Sequence, residues 1–105
     1  MKKTLLLLVA IAGLSYAKSF DINFSQRAVL GPMEVEKGHY KLSINGSTIT
    51  LVNEDTHKSF ETTATVQTSE KKYIDTVVHS NTDSGKMMVN EIELGGTKTV
   101  LEFHR

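Results

Sequence analysis

The sequence predicts an all-β fold, a single antiparallel β-sandwich or small barrel of seven to eight strands behind an N-terminal helical signal peptide. Three observations carry this reading. Apolar and polar residues alternate along most of the chain after residue 18, the dipeptides Asn45-Gly46 and Gly95-Gly96 sit between such runs, and no stretch after residue 18 reads as helix.

Residues 1–17, MKKTLLLLVAIAGLSYA, have the parts of a secretory signal: a positive start at Lys2 and Lys3, an apolar run from Leu5 to Leu14, and small residues Ser15 and Ala17 around Tyr16. Cleavage is expected between Ala17 and Lys18, because the apolar run is well short of the ~20 residues a membrane-spanning helix needs. Residues 18–105 are then one all-β domain, periplasmic or extracellular, with no stable membrane insertion. The chain has no cysteine. Disulfides therefore contribute nothing, and packing and sheet hydrogen bonds must hold the domain together. A cysteine-free exported domain with a Met-Lys-Lys opening suits a bacterial envelope.

The strands follow in order. In SFDINF, residues 19–24, Phe20, Ile22 and Phe24 alternate with Asp21 and Asn23, the period-two signature of a half-buried strand. Arg27 to Leu30 is a short second strand, interrupted by Gly31-Pro32, with Met33 to Val35 as its continuation. Gly38 introduces a hairpin whose turn is expected at Asn45-Gly46 in type I′ geometry, since Asn tolerates and Gly readily adopts positive φ. That turn pairs Ile44 with Ser47, Leu42 with Ile49 and Tyr40 with Leu51 on the apolar side. Lys41 faces Thr50 and Ser43 faces Thr48 on the other side.

Residues 53–58 read as a polar turn. FETTATVQT from Phe60 is one threonine-rich strand. Ser69 to Lys72 is a second turn, its Lys71-Lys72 shielding a sheet edge. Tyr73 to Ser80 is a strand whose inward face the pattern leaves open, and NTDSG, residues 81–85, is a loop. The last hairpin turns at Gly95-Gly96, with Leu94 facing Thr97, Ile92 facing Thr99, Met88 facing Phe103 and Glu93 opposite Lys98. Here Asn90 falls on the apolar side and Val100 on the polar side, which leaves a bulged or three-residue turn open.

The chemistry-bearing residues form no recognised motif. His39, His57, His79 and His104 are scattered, without HxH or HExxH spacing, so no local segment offers a metal two imidazoles. Glu34 and Glu36 share a face, as do Glu91 and Glu93; acid pairs cleave glycosidic bonds only where different surroundings separate their pKa values. The oxygen-rich loop 81–85 lacks the length and terminal glutamate of a calcium loop. No GxSxG elbow or phosphate-cradling glycine motif is present. Without tryptophan, and with most rings on inward faces, an aromatic sugar platform is not expected.

Charge excludes another class. Twelve basic side chains less Lys2 and Lys3 leaves ten against twelve acidic, a formal net charge of −2. Nothing resembles the basic stripe that neutralises nucleic-acid phosphates.

KSFDINF, VEKGHYKLSI with its glycine-x-tyrosine strand entry, the Asn45-Gly46 hairpin and NEIELGGTKTVLEF together resemble a set of small, signal-peptide-bearing, all-β exported bacterial proteins with no assigned function. Where that set often places a proline-containing pair before the entry, this chain has Glu36-Lys37. The resemblance implies an all-β exported domain and no catalytic or binding residue.

The expected function is a non-enzymatic binding or structural interaction module of the envelope, without cofactor, touching an envelope protein or a small ligand at one end of the fold. The alternative is a ligand-binding protein, metal-binding protein or enzyme whose site is assembled from distant strands, using His39, His57 or His79 with nearby acids.

Overall fold

The computed structural model describes residues 19–104, so the signal segment and its Ala17/Lys18 junction lie outside the described residues. Ten strands follow one another with no helix among the described residues: β1 Ser19–Phe24, β2 Ala28–Leu30, β3 Met33–Val35, β4 Gly38–Asn45, β5 Thr48–Asn53, β6 Ser59–Thr63, β7 Thr65–Thr68, β8 Val77–Asp83, β9 Lys86–Glu93 and β10 Thr99–Glu102. One sheet has the order β1-β4-β5-β6; the other runs β3-β2-β9-β10-β7 with β8 also paired to β9.

The alternation of apolar side chains explains the shared core. Ile22, Phe24, Tyr40, Leu42, Ile49 and Leu51 point inward from the first sheet, and Ala28, Leu30, Val35, Val89, Ile92, Leu94, Leu101 and Phe103 pack from the second sheet and the segments continuing it. Burying each large aliphatic side chain contributes about 1.5–3 kcal/mol. This burial holds the two sheets together in place of any disulfide.

Several sequence expectations are corrected. The count is ten strands rather than seven to eight. Gly31, at φ 63°, reverses the chain instead of letting it continue, so β2 and β3 pair antiparallel from Ala28↔Val35 to Leu30↔Met33. FETTATVQT divides at Ala64 because its two halves serve different sheets: β6 pairs with β5 and β7 with β10. Nor is the architecture purely antiparallel, since β2 pairs parallel with the first half of β9 while β10 pairs with its second half.

The first hairpin turns one residue later than expected. Asn45 faces Thr48, Ile44 faces Ile49 and Leu42 faces Leu51, which leaves Gly46-Ser47 as the loop. Gly46 has φ 66° and neither Asn45 nor Ser47 is positive, the glycine-first pattern of a type II′ turn rather than type I′. Inside and outside are unchanged by this shift, and Ile44 gains an isoleucine partner in place of a serine. The double-positive turn occurs instead at Ser84 (φ 55°) and Gly85 (φ 78°), where Asp83 faces Lys86. Residues 81–83 therefore extend β8 rather than form a loop.

A bulge resolves the anomaly in the last hairpin. His79 faces Glu91 while Ser80 faces Val89, so Asn90 is the extra residue of β9 and sits exposed. Beyond it the parity changes, placing Val89 and Ile92 both inward. Gly95 and Gly96 do occupy the centre of a turn, closed by the Thr97 N–H donating to the Leu94 carbonyl at 3.2 Å, but the strands re-pair with Leu101 opposite Ile92 and Val100 opposite Glu93. Phe103 accordingly donates its N–H to Asn90 at 3.0 Å instead of facing Met88. Residues 73–76 are not strand; they brace this turn, and of the competing side chains Val78 packs on the core while Ile74 is 91% exposed.

Candidate functional site

The ends of β4 and β5 remote from Gly46 meet the open end of the β2–β3 hairpin around a cavity of about 220 Å³. Its wall combines Val35, Tyr40 and Phe60 with Arg27, Glu34, Glu36, Asn53, Thr56 and Lys58. Register puts these groups together: Tyr40 is directly opposite Asn53 on the β4–β5 ladder, and Leu51 opposite Phe60 brings β6 alongside.

An aromatic floor lies beneath. Tyr40 stacks between Phe24, at a centroid distance of 5.6 Å, and Phe60, at 6.4 Å and nearly edge-on. The Tyr40 hydroxyl donates to the Glu36 carbonyl at 2.6 Å, which ties the start of β4 to the end of β3, while its ring is buried in the core beneath the cavity.

The roof is the loop 54–58, and Asn53 shapes it. Its Oδ1 accepts the backbone N–H groups of Asp55 at 2.8 Å and Thr56 at 2.9 Å, an Asx-turn. The Asn53 N–H donates to the Lys58 carbonyl, its own carbonyl accepts from His57, and the Glu54 N–H reaches back to His39. This closure requires His57 to adopt φ 64°, sparsely populated for a side-chain-bearing residue. Thr56 and Lys58 are thereby held in the cavity wall.

The rim is ionic. Arg27 Nη1 lies 3.2 Å from Glu34 and Nη2 lies 4.0 Å from Glu36, while Lys86 Nζ lies 3.3 Å from Glu34. Each group is partly exposed, so the pairs contribute little stability and act mainly to orient the side chains.

The other sequence candidates lie elsewhere. Asn45 and Gly46 turn the chain at the opposite end; Gly95 and Gly96 form the brace with residues 73–76. His79 Nε2 lies 3.0 Å from Glu93, and His104 Nε2 lies 4.0 Å from Glu102, on the second sheet. His39 faces Asn23 on the first sheet, and His57 is exposed in the loop 54–58. Among the described residues no three His, Asp or Glu side chains converge closely enough to hold a metal ion. A second cavity, about 380 Å³, lies at the Gly46 end between Pro32, Ser47, Thr63, Ala64, Thr65, Glu102 and His104. It has no phenylalanine or tyrosine ring in its wall.

Of the site at the Asn53 end, the sequence reading identified Glu34 and Glu36 as a same-face pair and Tyr40 and Phe60 as inward rings. It missed Arg27, Asn53, Thr56 and Lys58. The Asx-turn in NEDT was the available signal for Asn53; nothing local points to Arg27, whose role arises from the parallel pairing of β2 with β9 that carries it beside Lys86. Comparisons with protein-family models, characterised proteins and solved structures gave no match.

Proposed function

We propose that this chain is a non-enzymatic binding domain of the bacterial envelope, exported by its N-terminal segment, which makes its contact through the cavity at the Asn53 end of a β-sandwich. One observation carries the reading: a loop closed by the Asn53 side chain holds polar groups over an aromatic floor, the combination of apolar body and few placed polar groups that characterises small-molecule sites. Both acids of the same-face pair Glu34 and Glu36 contact Arg27 rather than facing one another across the cavity, an arrangement suited to holding a shape rather than to splitting two carboxyl groups into acid and base.

An NMR screen of small polar and aromatic compounds against isotope-labelled protein, purified from cells expressing the full chain, tests this. Hits are expected to shift the resonances of Val35, Tyr40, Asn53 and Phe60. Hits clustering on Pro32, Ala64 and His104, or no hit from a broad collection, would remove the basis for the assignment.

A second reading, contact with an envelope protein, is favoured by Ile74, which is 91% exposed on the segment braced against the Gly95 turn. A photo-crosslinker replacing Ile74 should capture one partner reproducibly in intact envelopes; recovery of background proteins alone would count against it.

A further inference from the structure

We propose that the cavity at the Asn53 end takes a small monocarboxylate with a short apolar body, an inference that rests on the reading of this cavity as the contact site. The charges around it do not all cancel internally. Arg27 and Lys86 are both engaged by Glu34 and Glu36, two cations against two carboxylates. Lys58 also lines the cavity, and no carboxylate lies within ion-pairing distance of its ammonium among the described residues. Lys58 is exposed on the cavity rim, so its ammonium is free to form a charge-assisted contact with one anionic group.

Asn53 supplies the second observation. Its Oδ1 is committed to two backbone N–H groups, which settles the orientation of the amide and turns the NH₂ group away from the loop. That Nδ2 has no acceptor among the described residues and, unlike Thr62 Oγ1, is not sealed from solvent, on a residue that lines the cavity. A Cβ placed on Gly38 would come within 3.3 Å of Nδ2, so the glycine at φ 147° keeps the space beside the donor clear. A donor that faces open space is available to a ligand acceptor in place of water.

Glu34 and Glu36 are drawn to Arg27, Thr56 Oγ1 accepts the Lys58 N–H, and the Tyr40 O–H is committed as donor to the Glu36 carbonyl. A ligand therefore meets unpaired donors at Lys58 and Asn53, and apolar surface chiefly at Phe60, backed by the buried Val35 and Tyr40. The volume of about 220 Å³ falls below the ~300 Å³ at the lower end of common small-molecule sites, which restricts the body to a single ring or a short chain.

Three compounds with one ring and different head groups test the inference: benzoate, benzamide and benzylamine, titrated into isotope-labelled protein and into the Lys58→Gln variant, with the Asn53 side-chain amide and the Phe60 ring as readouts. Benzoate is expected to bind about tenfold more tightly than either analogue and to lose roughly that factor in the variant, the loss of one charge-assisted contact. Lys58 is exposed, so the variant should keep its melting temperature. Benzamide or benzylamine binding at these residues as tightly as benzoate would overturn the carboxylate assignment while leaving the cavity as the contact site. Benzoate binding untouched by Lys58→Gln would also overturn it. No response at Asn53 or Phe60 to any of the three would overturn both.

Discussion

Gly95 donates its backbone N–H to the hydroxyl of Thr76 at 2.9 Å, and the two backbone segments approach so closely that a Cβ on Gly95 would lie 2.7 Å from the Thr76 nitrogen and 2.8 Å from the Asp75 carbonyl carbon. The contact belongs to a larger brace. Gly96 donates to the Tyr73 carbonyl, Tyr73 donates to Thr97, and Ser69 donates to Lys98, each at 2.7 Å. Backbone rather than flexible side chain is what an added methyl would strike. Gly95→Ala is therefore expected to cost about 1–3 kcal/mol, read as a lower urea midpoint at unchanged slope. A midpoint within error of the parent protein would show that residues 73–76 do not press on the turn.

Thr62 makes the opposite case. Its hydroxyl has no hydrogen-bond partner among the described residues, and the residue is 8% exposed opposite Ile49. Valine has nearly the same shape without the polar atom. Thr62→Val should raise stability by about 1 kcal/mol and increase Tm in calorimetry, because an unsatisfied buried hydroxyl carries a desolvation penalty. A lower Tm would mean that the hydroxyl is satisfied.

How much of this was legible in the sequence depended on whether the signal was local. Phe20, Ile22 and Phe24 announce β1 by alternation alone, and the structure places its strand over Ser19–Phe24. The faces of β4 and β5 were also readable, because moving a two-residue turn by one position changes partners without changing parity. Asn90 was visible as a misfit but not as a bulge, since only the pairing of β9 with β8 shows which residue is extra. The division of FETTATVQT at Ala64 had no local mark, for the same threonine-rich alternation continues across both sheets. The site was least legible for that reason: Arg27, Tyr40, Asn53 and Lys58 come from separate strands and loops, and only the fold collects them.

Asn53 has a structural role separable from any ligand. Its Oδ1 closes the loop 54–58 through two backbone N–H groups, so Asn53→Ala should lower stability by about 1–2 kcal/mol and speed amide hydrogen exchange at Asp55 and Thr56 first. Asn53→Asp keeps the acceptor and should restore much of the protection. Equal exchange at both amides in all three proteins would remove the Asx-turn as the organiser of the loop.

Ser84 occupies φ 55° beside Gly85 at φ 78°, the left-handed pair that asparagine-glycine fills best. Ser84→Asn is predicted to stabilise the β8–β9 hairpin by a few tenths of a kcal/mol, to about 0.5 kcal/mol, measurable as slower unfolding. Faster unfolding would contradict the turn geometry.

On the outer face of the first sheet, Lys41 Nζ lies 2.5 Å from Asp21, and this hydrogen bond, then the charge of Asp21, raises the lysine pKa above its usual 10.5. The stabilisation is present at neutral pH and is lost only as pH rises through the raised value, above 10.5. In Asp21→Asn the Lys41 side-chain titration followed by NMR should fall back toward the ordinary lysine value. An unchanged titration would show that the pair does not persist in solution.

Intermolecular NOEs from bound benzoate decide where the ligand lies. Contacts from its ring protons to the Phe60 and Tyr40 rings and the Val35 methyl groups are predicted. Contacts to Pro32 and Ala64 at the far end, with none to Phe60, would contradict the assignment of the Asn53 cavity.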